Sequence, residues 1–87
     1  MSKLEPARVE TDLLGFVRRE VFAPQLNVTL ETDLVLAGFD SMSLVRLLLF
    51  VEQTYGSWVP EQEITGEALK DLRSLAATVC RVVNSGR

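Results

Sequence analysis

The sequence predicts an all-α fold with three principal helices, one short helix and a long first loop, in a single domain covering residues 1–87. Three stretches repeat apolar residues at spacings of three or four, which is the pattern of amphipathic helices. The segment between the first two stretches lacks this period. With 87 residues and 47% hydrophobic content, the chain can bury one modest core.

The first helix is expected at residues 5–22, with apolar residues at every fourth position and charged residues on the other side. It should end before Pro24, because the residue preceding a proline is driven out of the helical region. Ser2 and Glu5 have the spacing of a capping box, while Thr11 is a competing cap. The start of this helix is therefore left open.

The segment from residue 23 to residue 40 has no helical period but carries apolar residues at regular intervals. They are Leu26, Val28, Leu30, Leu34, Leu36 and Phe39. We expect these side chains to anchor a long loop to the core. Loops of this length in compact domains are usually functional when they are not disordered. The end of the loop is therefore the first place to look for a site.

The second helix is predicted at residues 41–55. Asp40 can cap its first turn, and Gly56 suits the left-handed position that follows a helix. One stripe of its side chains should face the core: Leu44, Leu47, Leu48, Val51 and Tyr55. A second apolar stripe consists of Met42, Val45 and Leu49. One core cannot easily cover both stripes.

The last third of the chain predicts a short helix at residues 65–69 and a closing helix at residues 71–84. The buried side of the closing helix should carry Leu72, Leu75, Ala76, Val79, Cys80 and Val83. Cys80 is the only cysteine, so an internal disulfide is excluded. Its place in this pattern indicates a small buried hydrophobe rather than a reactive thiol.

The composition excludes several classes of protein. Nine Lys and Arg stand against twelve Asp and Glu, and no basic block offers the cations that nucleic acid requires. The chain has no histidine and one cysteine, so it cannot form a Ser-His-Asp triad or a Cys/His metal cluster. Glycine-rich phosphate loops are absent as well. We expect no catalytic residues, no metal site and no enzymatic activity.

The expected location is the cytoplasm. The N-terminal residues MSKLEPARVE are charged from the third position and lack an apolar signal region. The longest apolar run, residues 47–51, is far too short to span a membrane. No linker to a second domain is visible. We therefore expect a soluble, free-standing monomer without membrane contact.

Ser41 lies beside Asp40 where the long loop turns into the second helix, and three roles are open for it. Ser and Asp are favoured at helix starts for capping alone. A nucleophilic serine would need a general base, yet the chain lacks histidine and a G-x-S-x-G elbow. The third role is covalent modification, since a phosphate joined to Ser41 would lie at a helix N-terminus, which favours negative charge.

The stretch GFDSMSLVRLL, residues 38–48, resembles the attachment motif G-x-D-S-[LM] of acyl and peptidyl carrier proteins. The stretch YGSWVPEQEI, residues 55–64, is similar to the segment that ends the same helix in that family. The stretch TGEALKDLRSLAATV, residues 65–79, resembles the family's short third helix and closing helix. The similarity covers nearly the whole chain and implies a four-helix bundle of the acyl-carrier-protein type.

The resemblance implies that Ser41 is esterified by the phosphopantetheine of coenzyme A, whose thiol then holds an acyl or aminoacyl group as a thioester. Such a phosphoprotein is a shuttle rather than a catalyst. Gly38 and Asp40 match the attachment motif, and Asp40 would cap the helix and contact the phosphopantetheinyl transferase that installs the arm. Further implied partners are an acyl- or aminoacyl-activating ligase and downstream acyl-processing enzymes.

The resemblance also implies a partner-binding face on the second helix, made of Met42, Val45, Arg46 and Leu49. The alternative for its apolar members, above all Val45, is burial against the short third helix. Carriers of fatty acid synthesis usually show acidic residues where this chain has Ser43 and Arg46. We therefore expect a role in polyketide, nonribosomal peptide or other specialised metabolism, with an aminoacyl carrier or a fatty-acid-type carrier as alternatives.

A rival from another class is a helical adaptor that kept the carrier fold and binds partners through the second helix without any arm. Modification of Ser41 separates the two hypotheses, because the adaptor would bind its partners unmodified.

Overall fold

A computed structural model describes residues 3–86, and all regular secondary structure in this range is helical. Helix α1 spans Pro6–Glu20, α2 spans Ser41–Tyr55 and α3 spans Leu72–Ser85, with one 3-10 turn at Glu61–Glu63. Helix α1 packs more extensively on α3 than on α2. The predicted all-α bundle is thereby confirmed.

Helix α1 begins at Pro6, whose fixed φ and missing N–H suit the first position of a helix. Glu5 precedes it in an extended conformation and makes no side-chain cap. The prediction of Thr11 as a cap is wrong, because its hydroxyl donates to the Ala7 carbonyl at 3.1 Å inside the helix. Ser2 lies outside the described residues, so its half of the capping box stays a prediction.

The buried stripes predicted for α2 and α3 are confirmed. All five residues of the α2 stripe and all six of the α3 stripe are buried. They pack with the buried side of α1, which consists of Val9, Leu13, Phe16 and Val17. The Cys80 thiol donates to the Leu4 carbonyl at 3.3 Å, and burial raises the pKa of this thiol. Across residues 3–86, no helix combines the length and the apolar character needed to cross a membrane.

The long loop, residues 21–40, is only partly anchored in the way that the sequence predicts. Four of the expected anchors contact the core: Val28, Leu30, Leu34 and Phe39. The prediction is wrong for Leu26 and Leu36, whose exposed fractions are 43% and 86%. Leu34 and Leu36 lie in a turn that is closed by a hydrogen bond from the Ala37 N–H to the Asp33 carbonyl at 3.0 Å. This bond joins residues four apart, as in an α-helix, where side chains two residues apart point in directions about 200° apart. The two side chains therefore cannot both face the core, and only Leu34 does.

Two arginines hold the backbone of this loop. Arg18 of α1 donates from Nε and Nη2 to the Val28 carbonyl, at 3.1 and 2.7 Å. At the start of α3, the Arg73 backbone N–H donates to the Leu30 carbonyl at 3.0 Å, and its guanidinium pairs with Glu31. An irregular segment has no regular series of backbone hydrogen bonds of its own. Its backbone groups therefore need hydrogen-bond partners from other elements.

The short helix predicted at residues 65–69 is a single turn and not a regular helix. The Leu69 N–H donates to the carbonyls of Thr65 and Gly66, at 3.2 and 3.1 Å. Asp71 then caps α3 by accepting from the Ser74 N–H at 2.7 Å. Too few residues lie between Gly66 and this cap to propagate a helix, because the first turn is costly to form.

Candidate functional site

The long loop ends in a tight turn that positions the start of α2. The Phe39 N–H donates to the Leu34 carbonyl at 2.9 Å, and the Gly38 N–H donates to the Val35 carbonyl at 3.1 Å. Gly38 has a φ of 101°, a conformation that residues with a side chain rarely adopt. This positive φ lets the chain reverse direction just before the helix.

Phe39 fastens this junction to the core. Its side chain is buried, and its ring lies at a centroid distance of 6.4 Å from the ring of Phe22. Because Phe39 directly precedes Asp40, its burial restrains the first residues of α2. The helix start is therefore tied to the core on one side and open to solvent on the other.

Asp40 is the N-cap of α2, as predicted. Its Oδ1 accepts hydrogen bonds from the Ser43 backbone N–H at 2.9 Å and from the Ser43 hydroxyl at 3.0 Å. These two donors, the backbone N–H foremost, lower the pKa of Asp40 below its ordinary value. The carboxylate is thus held ionised and is directed to Ser43 rather than to Ser41.

Ser41 is the first residue of α2, and its side chain is exposed. Since Asp40 is the cap, the capping role that was open for Ser41 is already filled. The neighbouring carboxylate is engaged by Ser43, so it is not placed as a general base for the Ser41 hydroxyl. Asp40 therefore does not supply the base for a reaction at this hydroxyl.

The surroundings of Ser41 fit a phosphate ester. The first N–H groups of a helix have no intrahelical acceptor and carry the positive end of the helix dipole. An anionic group on Ser41 would therefore meet favourable charge.

The second apolar stripe of α2 is exposed in the described structure. Its members Met42, Val45 and Leu49 have exposed fractions of 69%, 41% and 45%. The alternative of burial against a short third helix is therefore wrong, including for Val45. Arg46 is exposed too, and its Nη2 lies 3.4 Å from Glu20 Oε1 of α1. We call Met42, Val45 and Leu49 the apolar strip.

Sequence reasoning missed two features of this site. The hydroxyl of Ser43 supplies a second hydrogen bond to Asp40. Val35 and Leu36 are exposed by 61% and 86% in the turn before Gly38. A serine three residues after a capping Asp was a usable signal for the first feature. The exposure of the loop residues had no local signal.

The described residues hold no group of three or more Cys, Asp or Glu side chains that could bind a metal ion. The site therefore consists of one exposed hydroxyl, a capped helix start and neighbouring apolar surface.

A family model described as a phosphopantetheine attachment site matches residues 12–81, which is most of the chain. The chain belongs to this family of carrier domains. The matched range contains the turn at Gly38, the cap at Asp40 and all of α2. Comparison with curated proteins and with solved structures gave no significant match.

Membership of this family establishes the cofactor and the general activity. The carrier holds acyl groups on covalently attached phosphopantetheine. Such carrier domains are typically not catalytic themselves, and they work with transferases and acyl-processing enzymes. The predicted acyl-carrier-type bundle is confirmed in the same way.

Proposed function

We propose that Ser41 is the residue to which phosphopantetheine is attached, and that the protein is a free-standing acyl carrier. One observation carries this proposal: the Ser41 hydroxyl is exposed at the first position of α2, while Asp40 performs the capping. A hydroxyl that is not needed for the fold is available for modification. The G-x-D-S-M sequence around it supports the same residue.

Attachment at Ser41 is a phosphoryl transfer from coenzyme A. The Ser41 Oγ forms a bond to the phosphorus that bears the pantetheine. The bond from this phosphorus to the bridging oxygen of the diphosphate breaks. The adenosine bisphosphate leaves with the bonding electron pair, and a base of the transferase accepts the serine proton. When bound, the cofactor supplies a thiol that holds the acyl group as a thioester.

The residues around Ser41 keep the helix start in place during this reaction. The Ser43 N–H and hydroxyl both donate to Asp40, so the cap persists when the neighbouring Ser41 is modified. These donors also offset part of the Asp40 charge, which would otherwise repel a phosphate on Ser41.

Partner enzymes are proposed to bind the face of α2 that begins at Ser41. Exposed apolar side chains at Met42, Val45 and Leu49 offer surface that the protein's own core does not cover. Arg46 adds a positive charge that discriminates among partners by their electrostatic surface. The proposed partners are a phosphopantetheinyl transferase, an activating ligase and downstream acyl-processing enzymes.

The proposed setting is polyketide, nonribosomal peptide or other specialised metabolism, in the cytoplasm. The support is chemical: Arg46 is exposed on the partner-binding face, and Ser43 is engaged with Asp40, so this face is not acidic at either position. An aminoacyl carrier and a fatty-acid-type carrier remain the alternatives within the class.

The test is incubation with coenzyme A and a broad-specificity phosphopantetheinyl transferase, followed by intact mass spectrometry. The wild type should gain the mass of one phosphopantetheine, and Ser41→Ala should gain none. Ser43→Ala is the matched control, because it removes a serine from the same turn and leaves Ser41 in place. Ser41→Ala should retain its helical circular dichroism, since the Asp40 cap is intact.

Modification of Ser41→Ala would contradict the assignment of this residue. Failure of well-folded wild type to gain mass would favour the unmodified helical adaptor.

A further inference from the structure

A cleft of about 400 Å³ lies between α1 and α2. Its lining includes Phe16, Arg19, Glu20, Arg46, Leu49 and Phe50. The rings of Phe16 and Phe50 stack across the two helices, with centroids 4.6 Å apart and 21° between their planes. Leu49 belongs both to the cleft and to the apolar strip. The volume is in the range that small-molecule sites use.

The charges at the cleft are unevenly paired. Arg46 Nη2 lies 3.4 Å from Glu20 Oε1, with both side chains about half exposed, so this ion pair is weak. Arg19 makes no ion pair with any described residue. Its side chain lies back over Gly15, where an added Cβ would come within 3.1 Å of Arg19 Nη1. The cleft thus combines aromatic and aliphatic surface with two guanidinium groups and one carboxylate.

We propose that this cleft binds the distal end of the acyl group carried on Ser41, when that group has an apolar body and a terminal carboxylate. The inference rests on the proposed attachment at Ser41. The apolar body would contact Phe16, Phe50 and Leu49, and the carboxylate would pair with Arg19 and compete with Glu20 for Arg46. The acyl groups selected are those of dicarboxylic acids bound through one of their two carboxyl groups.

The cleft lies within reach of a group on Ser41. Arg46, Leu49 and Phe50 follow Ser41 by five to nine residues, which is about 8 to 14 Å along a helix that rises 1.5 Å per residue. The attached arm has about 14 bonds between the serine oxygen and the thiol, so it spans roughly 17 Å when extended. The acyl group can therefore lie along α2 and reach the residues that line the cleft.

The carboxylate decides the specificity. Apolar contact in an open cleft is offset in part by the cost of ordering a flexible chain. A carboxylate adds charge-assisted hydrogen bonds, and the planar fork of a guanidinium matches its two oxygens. An acyl group of equal length that ends in a methyl lacks these bonds. The cleft should therefore hold the acidic acyl group and leave the neutral one mobile in solvent.

The experiment compares two acyl groups of equal length on the same carrier. A broad-specificity transferase loads adipoyl or hexanoyl phosphopantetheine from the corresponding coenzyme A thioester, and intact mass confirms loading. Backbone amide chemical shifts should change at Arg19, Arg46, Leu49 and Phe50 in the adipoyl form only. Carbon NMR should show the pKa of the adipoyl carboxylate lowered by about half a unit relative to free adipoyl pantetheine, because nearby cations favour its charged form.

Three variants locate the effect. Arg19→Gln should abolish most of the adipoyl-specific shift changes and of the pKa lowering. Glu20→Gln should enlarge both, because it frees Arg46 from its weak partner. Arg81→Gln is the matched control: this exposed arginine of α3 pairs with Glu63 at 3.5 Å and does not line the cleft, so its removal should change neither readout.

Equal shifts in the adipoyl and hexanoyl forms, or shifts that persist in Arg19→Gln, would overturn the inference. A loaded carrier with no change at the cleft would overturn it as well, while leaving attachment at Ser41 intact. No loading at all would instead overturn the attachment site and this inference together. Amide spectra of each unloaded variant establish that the fold is unchanged.

Discussion

Helix α2 and the long loop before it are both rich in apolar residues, but they use them differently. In α2 the buried and exposed apolar residues form two separate stripes, as a helical repeat requires. In the loop, Leu34 is buried and Leu36 is exposed, although both belong to one regularly spaced series. The spacing of apolar residues therefore predicts which side chains are buried only where the backbone conformation is known, as in a helix. In an irregular loop the same spacing does not tell which way a side chain points.

The two regions also differ in how their backbones are held. Helix α2 satisfies its own backbone groups and is closed at both ends, by Asp40 at the start and by Gly56 with a φ of 75° after the end. The middle of the loop depends on other elements, through Arg18 of α1 and Arg73 of α3. We therefore expect the backbone of α2 to be stabilised by hydrogen bonds within the helix and its caps. The backbone of the loop should instead depend on side chains and backbone groups of α1 and α3.

The largest effect is expected from the buried stripe of α2. Leu47 is fully buried, so Leu47→Ala should lower the free energy of unfolding by about 2 to 5 kcal/mol. Leu49→Glu on the exposed strip should change it by less than about 0.5 kcal/mol and should instead lower kcat/KM for the transferase. Urea unfolding and the rate of mass gain measure the two effects. A large stability loss in Leu49→Glu would place this residue in the core.

In the loop, too, the buried and the exposed leucine should differ in their effect on the free energy of unfolding. We expect this difference to be somewhat smaller than in α2. Leu34→Ala should cost about 2 to 4 kcal/mol, because Leu34 is fully buried but an irregular segment can partly collapse onto the vacated space. Leu36→Ala should stay within about 0.5 kcal/mol. Thermal unfolding of the two variants provides the measurement. Equal losses would mean that Leu36 also contacts the core.

Removal of the hydrogen bonds from Arg18 to the loop backbone should have an intermediate effect on the free energy of unfolding. Arg18→Ala removes the two hydrogen bonds to the Val28 carbonyl, with an expected cost of about 1 to 2 kcal/mol. Hydrogen exchange should accelerate at residues 28–32 more than in the three helices. Arg19→Ala is the matched control, since Arg19 makes no ion pair with the described residues. Uniform acceleration across the molecule would show that Arg18 supports the whole core instead.

The smallest effect concerns pH, through the two aspartates that cap helices. The Ser43 N–H lowers the pKa of Asp40 in the folded state, and the Ser74 N–H does the same for Asp71. Their contribution to stability is therefore complete above the unfolded pKa of about 3.9 and is lost as pH falls through the lower folded values. The melting temperature should fall below about pH 4 for this reason.

Replacement of both capping aspartates by asparagine tests the pH prediction. Asparagine keeps an acceptor for the helix N–H groups but does not titrate. The double variant Asp40→Asn and Asp71→Asn should lose less stability between pH 5 and pH 3 than the wild type. An identical pH profile would assign the acid sensitivity to other carboxylates.

The sequence alone determined the parts that depend on local order. The helical period assigned every buried residue of α2 and α3, and the G-F-D-S segment marked the turn, the cap and the candidate attachment residue. These predictions succeeded because helix geometry and capping act over only three or four residues. The same local reasoning failed at residues 65–69, where one turn has no continuation.

Only the tertiary structure decided which loop residues are buried, how the loop is held and where the cleft lies. Arg18 meets Val28 across ten positions, Arg73 meets Glu31 across 42, and the cleft joins Phe16 to Phe50. Such pairs depend on how the helices pack against one another, which no single stretch encodes. The physical reason is that burial and charge pairing are properties of the assembled surface, whereas helices and caps form from neighbours in the chain.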